Sequence, residues 1–282
     1  MNIIGTGLSG LVGSRVVELL FPRHSFTDLS LDTGIDITNK STVEEHIKKS
    51  DAPWVFHFAA KTDVDGAESE AALGEKSPTW IVNVTATERI VSVCKTMGKR
   101  LLYISTDYVF DGTKDTYSEE DLPNPQGWYA KTKHEGEKRV GEDGIIVRIA
   151  NPYRKIADKP DFVKKIIGRL SGEESIQAPT DQLFVPTFID DIAFAIEKLI
   201  ERNASGIYHV VGTQALSPYE AAKKIAAAYD LDASLVEKTS FEEYFRGRAP
   251  RPKRAVLKSD KIGKFGVQMH SFDEGLEKIK VL

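Results

Sequence analysis

Asn2-Ile3-Ile4-Gly5-Thr6-Gly7-Leu8-Ser9-Gly10-Leu11-Val12-Gly13 opens the chain and decides how the rest is read. Two isoleucines run directly into glycines at 5, 7, 10 and 13. Gly5-x-Gly7-x-x-Gly10 has the G-x-G-x-x-G spacing, and Gly7-x-x-Gly10-x-x-Gly13 gives a second register of the same idea. A short strand, a tight turn and a helix starting near Gly10 bring unpaired N–H groups and the positive end of a helix dipole up to a close-approaching backbone. That arrangement cradles a pyrophosphate, with Gly7, Ser9, Gly10, Leu11, Val12 and Gly13 as the contacting residues. The plain alternative is a flexible turn; the position between a strand and a helix argues against it.

Outward from this turn the first half alternates. Apolar strands at 2–5, 24–29, 54–58, 101–105 and 145–149 are separated by helical patterns at 10–20, 43–49, 80–97 and 128–140. Short apolar runs between amphipathic helices predict a Rossmann-type, doubly wound parallel sheet covered on both faces. After Ala150 the rhythm breaks, with prolines at 152, 160, 179 and 186. We read residues 1–150 as a dinucleotide-binding domain and 151–282 as a smaller C-terminal α/β substrate lobe. The stretch 187–213, with a helix at 190–201 and a strand at 206–211, is expected to return to the main sheet.

Composition narrows the function. With 41% hydrophobic and 28% charged residues the chain reads as an ordinary globular protein. A formal net charge of -4 argues against nucleic acid as the main partner. The sheet begins at residue 2, leaving no room for a signal peptide, and no apolar run reaches membrane-spanning length, so the expected location is the cytoplasm with no membrane partner. Cys94 is the only cysteine, which excludes an internal disulfide and reads as a small apolar residue. No ligand spacing argues for a metal. Oligomeric state is open, a homodimer being the assembly allowed for.

Chemistry enters with Tyr129-Ala130-Lys131-Thr132-Lys133, which sets a phenol and an ammonium four residues apart on one helix face. A nearby cation lowers a phenol from its ordinary pKa of about 10. Such a phenol can protonate a carbonyl oxygen while hydride arrives at its carbon. Thr106 ends a parallel strand, where open α/β sheets bind ligands, and can hold the same oxygen. Ser105 is the alternative hydroxyl, and Lys133 as a surface charge is the alternative to its role beside Tyr129. Asp36-Ile37-Thr38 is placed to border an adenine. Asp28 and Asp32 are candidates for the ribose hydroxyls or, equally, solvated loop carboxylates. No arginine closely follows the second strand, which leans toward NAD over NADP.

Four strings together resemble the extended short-chain dehydrogenase/reductase family, and within it the sugar-nucleotide branch typified by dTDP-4-dehydrorhamnose reductases. They are Thr6-Gly7-x-x-Gly10-x-x-Gly13, Ala59-Ala60-Lys61-Thr62-Asp63-Val64-Asp65, Ser105-Thr106-Asp107-Tyr108-Val109-Phe110-Asp111-Gly112, and the Tyr129–Lys133 pentapeptide. Asp181-Gln182, Pro186-Thr187, Gly206-Ile207-Tyr208-His209 and Pro250-Arg251-Pro252 continue the pattern, so the resemblance covers nearly the whole chain. It implies catalytic roles for Thr106, Tyr129 and Lys133. It also implies cofactor contacts from Ala59, Ala60, Lys61 and Asn83, and substrate contacts from Thr62, Val64, Asp107, Tyr108, Asp181, Gln182 and Arg251. Arg251 and Lys253 also suit a diphosphate on physical grounds, a solvated basic loop being the even alternative.

Two places depart from the pattern. His57 stands where the family usually has Asn, and reads as packed at a strand end. After the strand ending at Ile149 the family usually continues Thr-Ser-Trp-Val-Tyr-Gly, whereas this chain has Ala150-Asn151-Pro152-Tyr153-Arg154. The expected activity is NAD(P)H-dependent reduction of a 4-keto-6-deoxy sugar nucleotide. Two alternatives stay open: a sugar-nucleotide epimerase, and a non-catalytic NAD(P)-binding regulatory subunit resembling the methionine adenosyltransferase β subunit. Tyr108 in place of the Glu usual in related dehydratases counts against dehydration.

Overall fold

The computed structural model describes residues 1–155 and 160–280. In chain order the first half runs β1 (Asn2–Thr6), α1 (Leu11–Leu20), β2 (Ser25–Leu29), α2 (Lys40–Lys49), β3 (Trp54–His57), α3 (Val64–Ser69), α4 (Pro78–Trp80), α5 (Ala86–Met97), β4 (Arg100–Thr106), α6 (Trp128–Val140) and β5 (Ile145–Ile149). The remainder supplies β6 (Pro152–Tyr153), α7 (Phe162–Ser171), β7 (Ile176–Pro179), β8 (Thr187–Phe188), α8 (Ile189–Glu201), β9 (Gly206–His209), α9 (Pro218–Ala228), β10 (Val236–Thr239), α10 (Phe241–Tyr244), α11 (Asp260–Gly263) and α12 (Phe272–Lys280).

The main sheet has the order β2-β1-β3-β4-β5-β9 with every pairing parallel. Side chains alternate along each strand, which splits the core into two layers. Ile3, Trp54, Phe56, Leu102, Ile145 and Val147 face a layer closed by α1 and α8 through Val16, Leu20, Ile192 and Ile196. Ile4, Val55, Leu101, Tyr103 and Ile146 face the opposite layer, closed by α2, α5 and α6 through Val43, Ile47, Ile90, Cys94 and Val140. Burial on both faces is why these strands read as continuous apolar runs. The expected doubly wound, Rossmann-like sheet is borne out.

From β1 the chain steps outward to β2, then returns across β1 to β3. The winding therefore reverses between the carboxyl ends of β1 and β3, and such a reversal opens a ligand crevice. Helix α8 covers the first sheet layer and β9 pairs with β5, so most of 187–213 packs with residues 1–150.

The helix expected at 80–97 is interrupted by a π turn over Ile81–Thr85. Such turns add a residue to the helical spiral and re-aim a side chain, here Asn83, which is buried. Periodicity alone does not reveal that insertion.

The second lobe holds two small parallel pairs, β7 with β10 and β6 with β8. Strands this short show no readable alternation between prolines. Its centre is aromatic: Tyr153 meets Phe272 edge-on at 5.3 Å, and Phe162 stacks on Phe272 at 5.9 Å. Arg154 ties this lobe back to α1, donating to Ser14 Oγ and Glu18 Oε2 at 2.9 Å each. Among the described residues no helix is long and apolar enough to cross a membrane.

Candidate active site

Gly7 has φ +68, and a Cβ built there would lie 2.5 Å from the backbone nitrogen of Ala59. Only glycine meets both demands. A Cβ at Gly13 would likewise fall inside contact distance of the Gly7 carbonyl, so α1 presses against the turn. Gly10 is the extended N-cap of α1 and no side chain caps the helix. The first-turn N–H groups of Leu11, Val12 and Gly13 are thereby left for an anion. They border a cavity of about 770 Å³, which Gly7, Ser9, Gly10, Leu11, Val12 and Gly13 all line. The residues present fit a dinucleotide.

The end of this cavity beyond β2 is lined by Ser30, Leu31, Asp32, Ile35, Asp36 and Ile37. Of the two ribose candidates, Asp32 faces the cavity. Asp28 accepts from Leu8 N at 3.2 Å and from Ser30 Oγ at 2.7 Å, bracing the glycine turn instead. Asp36 is fixed by Thr38, whose N and Oγ1 both donate to its Oδ1 at 2.8 Å.

Ala59 and Ala60 form the wall after β3. Lys61 and Asn83, expected to touch the cofactor, do not line the cavity; they hold that wall from behind. Lys61 N donates to Asn83 Oδ1 at 2.8 Å, and Asn83 Nδ2 donates to Lys61 O at 3.1 Å and Thr132 Oγ1 at 3.0 Å. The Lys61 ammonium pairs with Glu70. Sequence reasoning missed this because the π turn swings Asn83 onto the backbone of the wall.

At the inner end Thr106, Tyr129 and Lys133 line the same cavity. The Tyr129 phenol has the Thr106 hydroxyl beside it, which favours Thr106 over Ser105 as its partner. Burial pushes the phenol well above its ordinary pKa, Thr106 partly offsets this, and Asp107 and Tyr108 add to the rise. The expected lowering by Lys133 is corrected. The Lys133 ammonium donates to Ile104 O at 2.7 Å and sits 4.0 Å from the centre of the Tyr103 ring. Burial lowers its own pKa to about 7. The phenol is therefore held protonated, the form a proton donor requires. His57 is buried between Thr6 Oγ1 at 2.7 Å and Thr87 Oγ1 at 2.8 Å, and burial pulls it down to about 3. It is a neutral packing residue, as read from the sequence.

A second cavity of about 380 Å³ lies between the sheet and the smaller lobe. Asp107, Tyr108 and Asn151 line both cavities and form the seam between them. Asp107 Oδ1 accepts from Thr106 Oγ1 at 3.0 Å, while its buried Oδ2 has no partner; burial pushes the carboxyl up to about 7. Thr62 and Val64 line the first cavity, and Gln182 the second. Asp181 and Arg251 line neither. Asp181 pairs with Lys253 at 2.7 Å and accepts from Phe241 N at 2.6 Å. Arg251 pairs with Asp65 at 2.9 Å, donates to Ala249 O at 2.7 Å and lies 4.8 Å from the Phe245 ring centre. It latches the smaller lobe to α3. The sequence carries a signal for two cations it left unread, Lys165 and Arg169, which line the second cavity with Phe162. Their spacing puts all three on one face of α7.

The sequence pattern of the RmlD substrate binding domain matches residues 1–280. The chain belongs to that family. A probable low-salt glycan biosynthesis reductase of Haloferax volcanii is 31% identical over 96% of this chain and 94% of its own length. The methionine adenosyltransferase 2 subunit beta of Xenopus laevis is 29% identical over 93% of this chain and 81% of its own. A dTDP-4-dehydrorhamnose reductase from Bacillus anthracis, solved in complex with NADP, superposes with a TM-score of 0.90 at 33% identity, covering 99% of this chain and 98% of that one. The resemblance read from the sequence is borne out, and with it the extended short-chain dehydrogenase/reductase fold of this RmlD-family member.

Proposed function

We propose that this protein is an NAD(P)H-dependent reductase of a 4-keto-6-deoxy sugar nucleotide, the activity for which the Bacillus anthracis relative is named. One observation carries the reading: the Thr106 and Tyr129 hydroxyls line the glycine-turn cavity together with Asp107 and Tyr108, which open onto the second cavity. A nicotinamide cofactor supplies the hydride when bound. The uncapped start of α1 would hold its pyrophosphate, and Asp32 would take the ribose hydroxyls. Thr106 and Tyr129 orient the substrate's carbonyl oxygen, and the Tyr129 hydroxyl gives it a proton. The raised phenol pKa keeps the proton on Tyr129 until hydride arrival puts negative charge on the carbonyl oxygen. Lys133, buried and lining the same cavity, supplies a cation on the wall that also carries the phenol. Among the described residues that line the adenosine end are Asp32 and Asp36 and no lysine or arginine, which supports NADH over NADPH.

The test is the loss of reduced cofactor when purified protein meets dTDP-4-keto-6-deoxymannose. Tyr129→Phe should lower kcat by about 10²–10⁴-fold while leaving NADH affinity within about two-fold. The likeness to the methionine adenosyltransferase 2 subunit beta supports a second reading, a cofactor-binding partner subunit. Absence of turnover across several keto-sugar nucleotides, together with stoichiometric co-purification of another protein, would replace the first reading by the second.

A further inference from the structure

Three side chains line both cavities, and two of them are already accounted for in part. The Tyr108 phenol is engaged by Arg251, and Asp107 offers the unpartnered Oδ2. The third is Asn151. Its backbone has φ +40, a left-handed conformation that asparagine tolerates better than most residues. Its carbonyl accepts from Thr187 N at 3.2 Å, which fixes the turn. Its carboxamide has no hydrogen-bond partner among the described residues, although it projects from the segment that follows β5 beside the reacting end of the first cavity.

We infer that Asn151 is a specificity-determining residue: its carboxamide, facing the same seam as the free Asp107 Oδ2, reads the sugar hydroxyl next to the reacting carbonyl. A carboxamide both donates and accepts, so it can bond a hydroxyl in either sense. Paired with a carboxyl that has one oxygen unused, it builds a polar seam, suited to a hydroxylated ring rather than an apolar or deoxygenated one. Such a seam penalises a substrate lacking the hydroxyl, because its own polar groups then go unpaired. The alternative role for Asn151 is conformational: it is there only because the backbone is left-handed.

The inference deepens the reductase reading and rests on it. Asn151→Gly separates the two roles, since glycine keeps the left-handed turn and removes only the carboxamide. The probes are dTDP-4-keto-6-deoxyglucose and its 3-deoxy analogue, with NADH. Wild type should prefer the hydroxylated probe by about ten-fold or more in kcat/KM. Asn151→Gly should lose that preference by falling on the hydroxylated probe alone, with Tm and NADH affinity unchanged. A preference retained in Asn151→Gly overturns the inference. Absence of wild-type turnover on these probes and on dTDP-4-keto-6-deoxymannose would sink the reductase reading by itself. Asn151 is then judged on calorimetric Kd for dTDP-glucose and dTDP-3-deoxyglucose in the presence of NAD, where an unchanged ratio, or no binding of either, overturns it.

Discussion

The dinucleotide end and the sugar end of the cleft are built by opposite means. The pyrophosphate cradle of the first is backbone from one unbroken stretch: β1, the glycine turn and the start of α1. The second is side chains from well-separated stretches, with Asp107 and Tyr108 after β4, Asn151 after β5, Lys165 on α7 and Gln182 after β7. Backbone sites are set by where glycine is required and leave little to tune. Side-chain sites are tuned one residue at a time, so the dinucleotide end should be brittle and the sugar end graded.

The largest expected effect tests brittleness. Gly7→Ala forces a strained φ and a collision with the Ala59 backbone. It should weaken NADH binding by about a hundred-fold and lower Tm. If calorimetry finds NADH affinity intact, the backbone account of this end fails. Gradedness is tested next by Lys165→Ala, which removes an exposed cation with no side-chain partner among the described residues. The expected outcome is a rise of about ten-fold in KM for the sugar nucleotide, with kcat and NADH Kd held. Parallel movement of NADH affinity would show that the two ends are not independent.

A smaller effect sharpens the comparison within the dinucleotide end. Asp32→Ala removes one carboxylate from the adenosine side and should shift the NADPH-to-NADH ratio of kcat/KM several-fold toward NADPH, about 1 kcal/mol of relief. No shift would leave Asp32 a solvated loop residue.

The smallest effect is a pH dependence at the seam. Burial raises Asp107 to about 7 in the folded protein, against about 3.9 for an unfolded aspartate. The folded value lies above the unfolded one, so its contribution to stability is complete below about pH 4 and is lost as pH rises through 7. Asp107→Asn is neutral throughout. It should match wild type in Tm at pH 4 and exceed it by a few degrees at pH 9, while turnover falls. A Tm difference constant across pH would show that the carboxyl is not the titrating group.

How much was readable follows the same division. Strands and helices of the main sheet were legible because apolar alternation and helical spacing are local consequences of burial on one or both faces. The cavity-lining Tyr129 and Thr106 were legible because their strings are short and contiguous. The π turn at Ile81–Thr85, the short strand pairs of the second lobe and the grouping of Asp107, Tyr108 and Asn151 were not. Each depends on contacts between residues far apart in the chain. Lys133 is the sharpest case: its spacing from Tyr129 was read correctly, but packing turned its ammonium onto Ile104 O and the Tyr103 ring.

By itself the sequence determined the parallel sheet, the glycine turn and the proposed proton donor, because each is encoded within a dozen or so neighbouring residues. Tertiary structure alone decided the direction in which the Tyr129 pKa moves, the latching of Arg251 onto Asp65 and the seam that joins the two cavities. Burial and long-range pairing set charge and direction, and neither is a property of a stretch of chain until that stretch is folded against the rest.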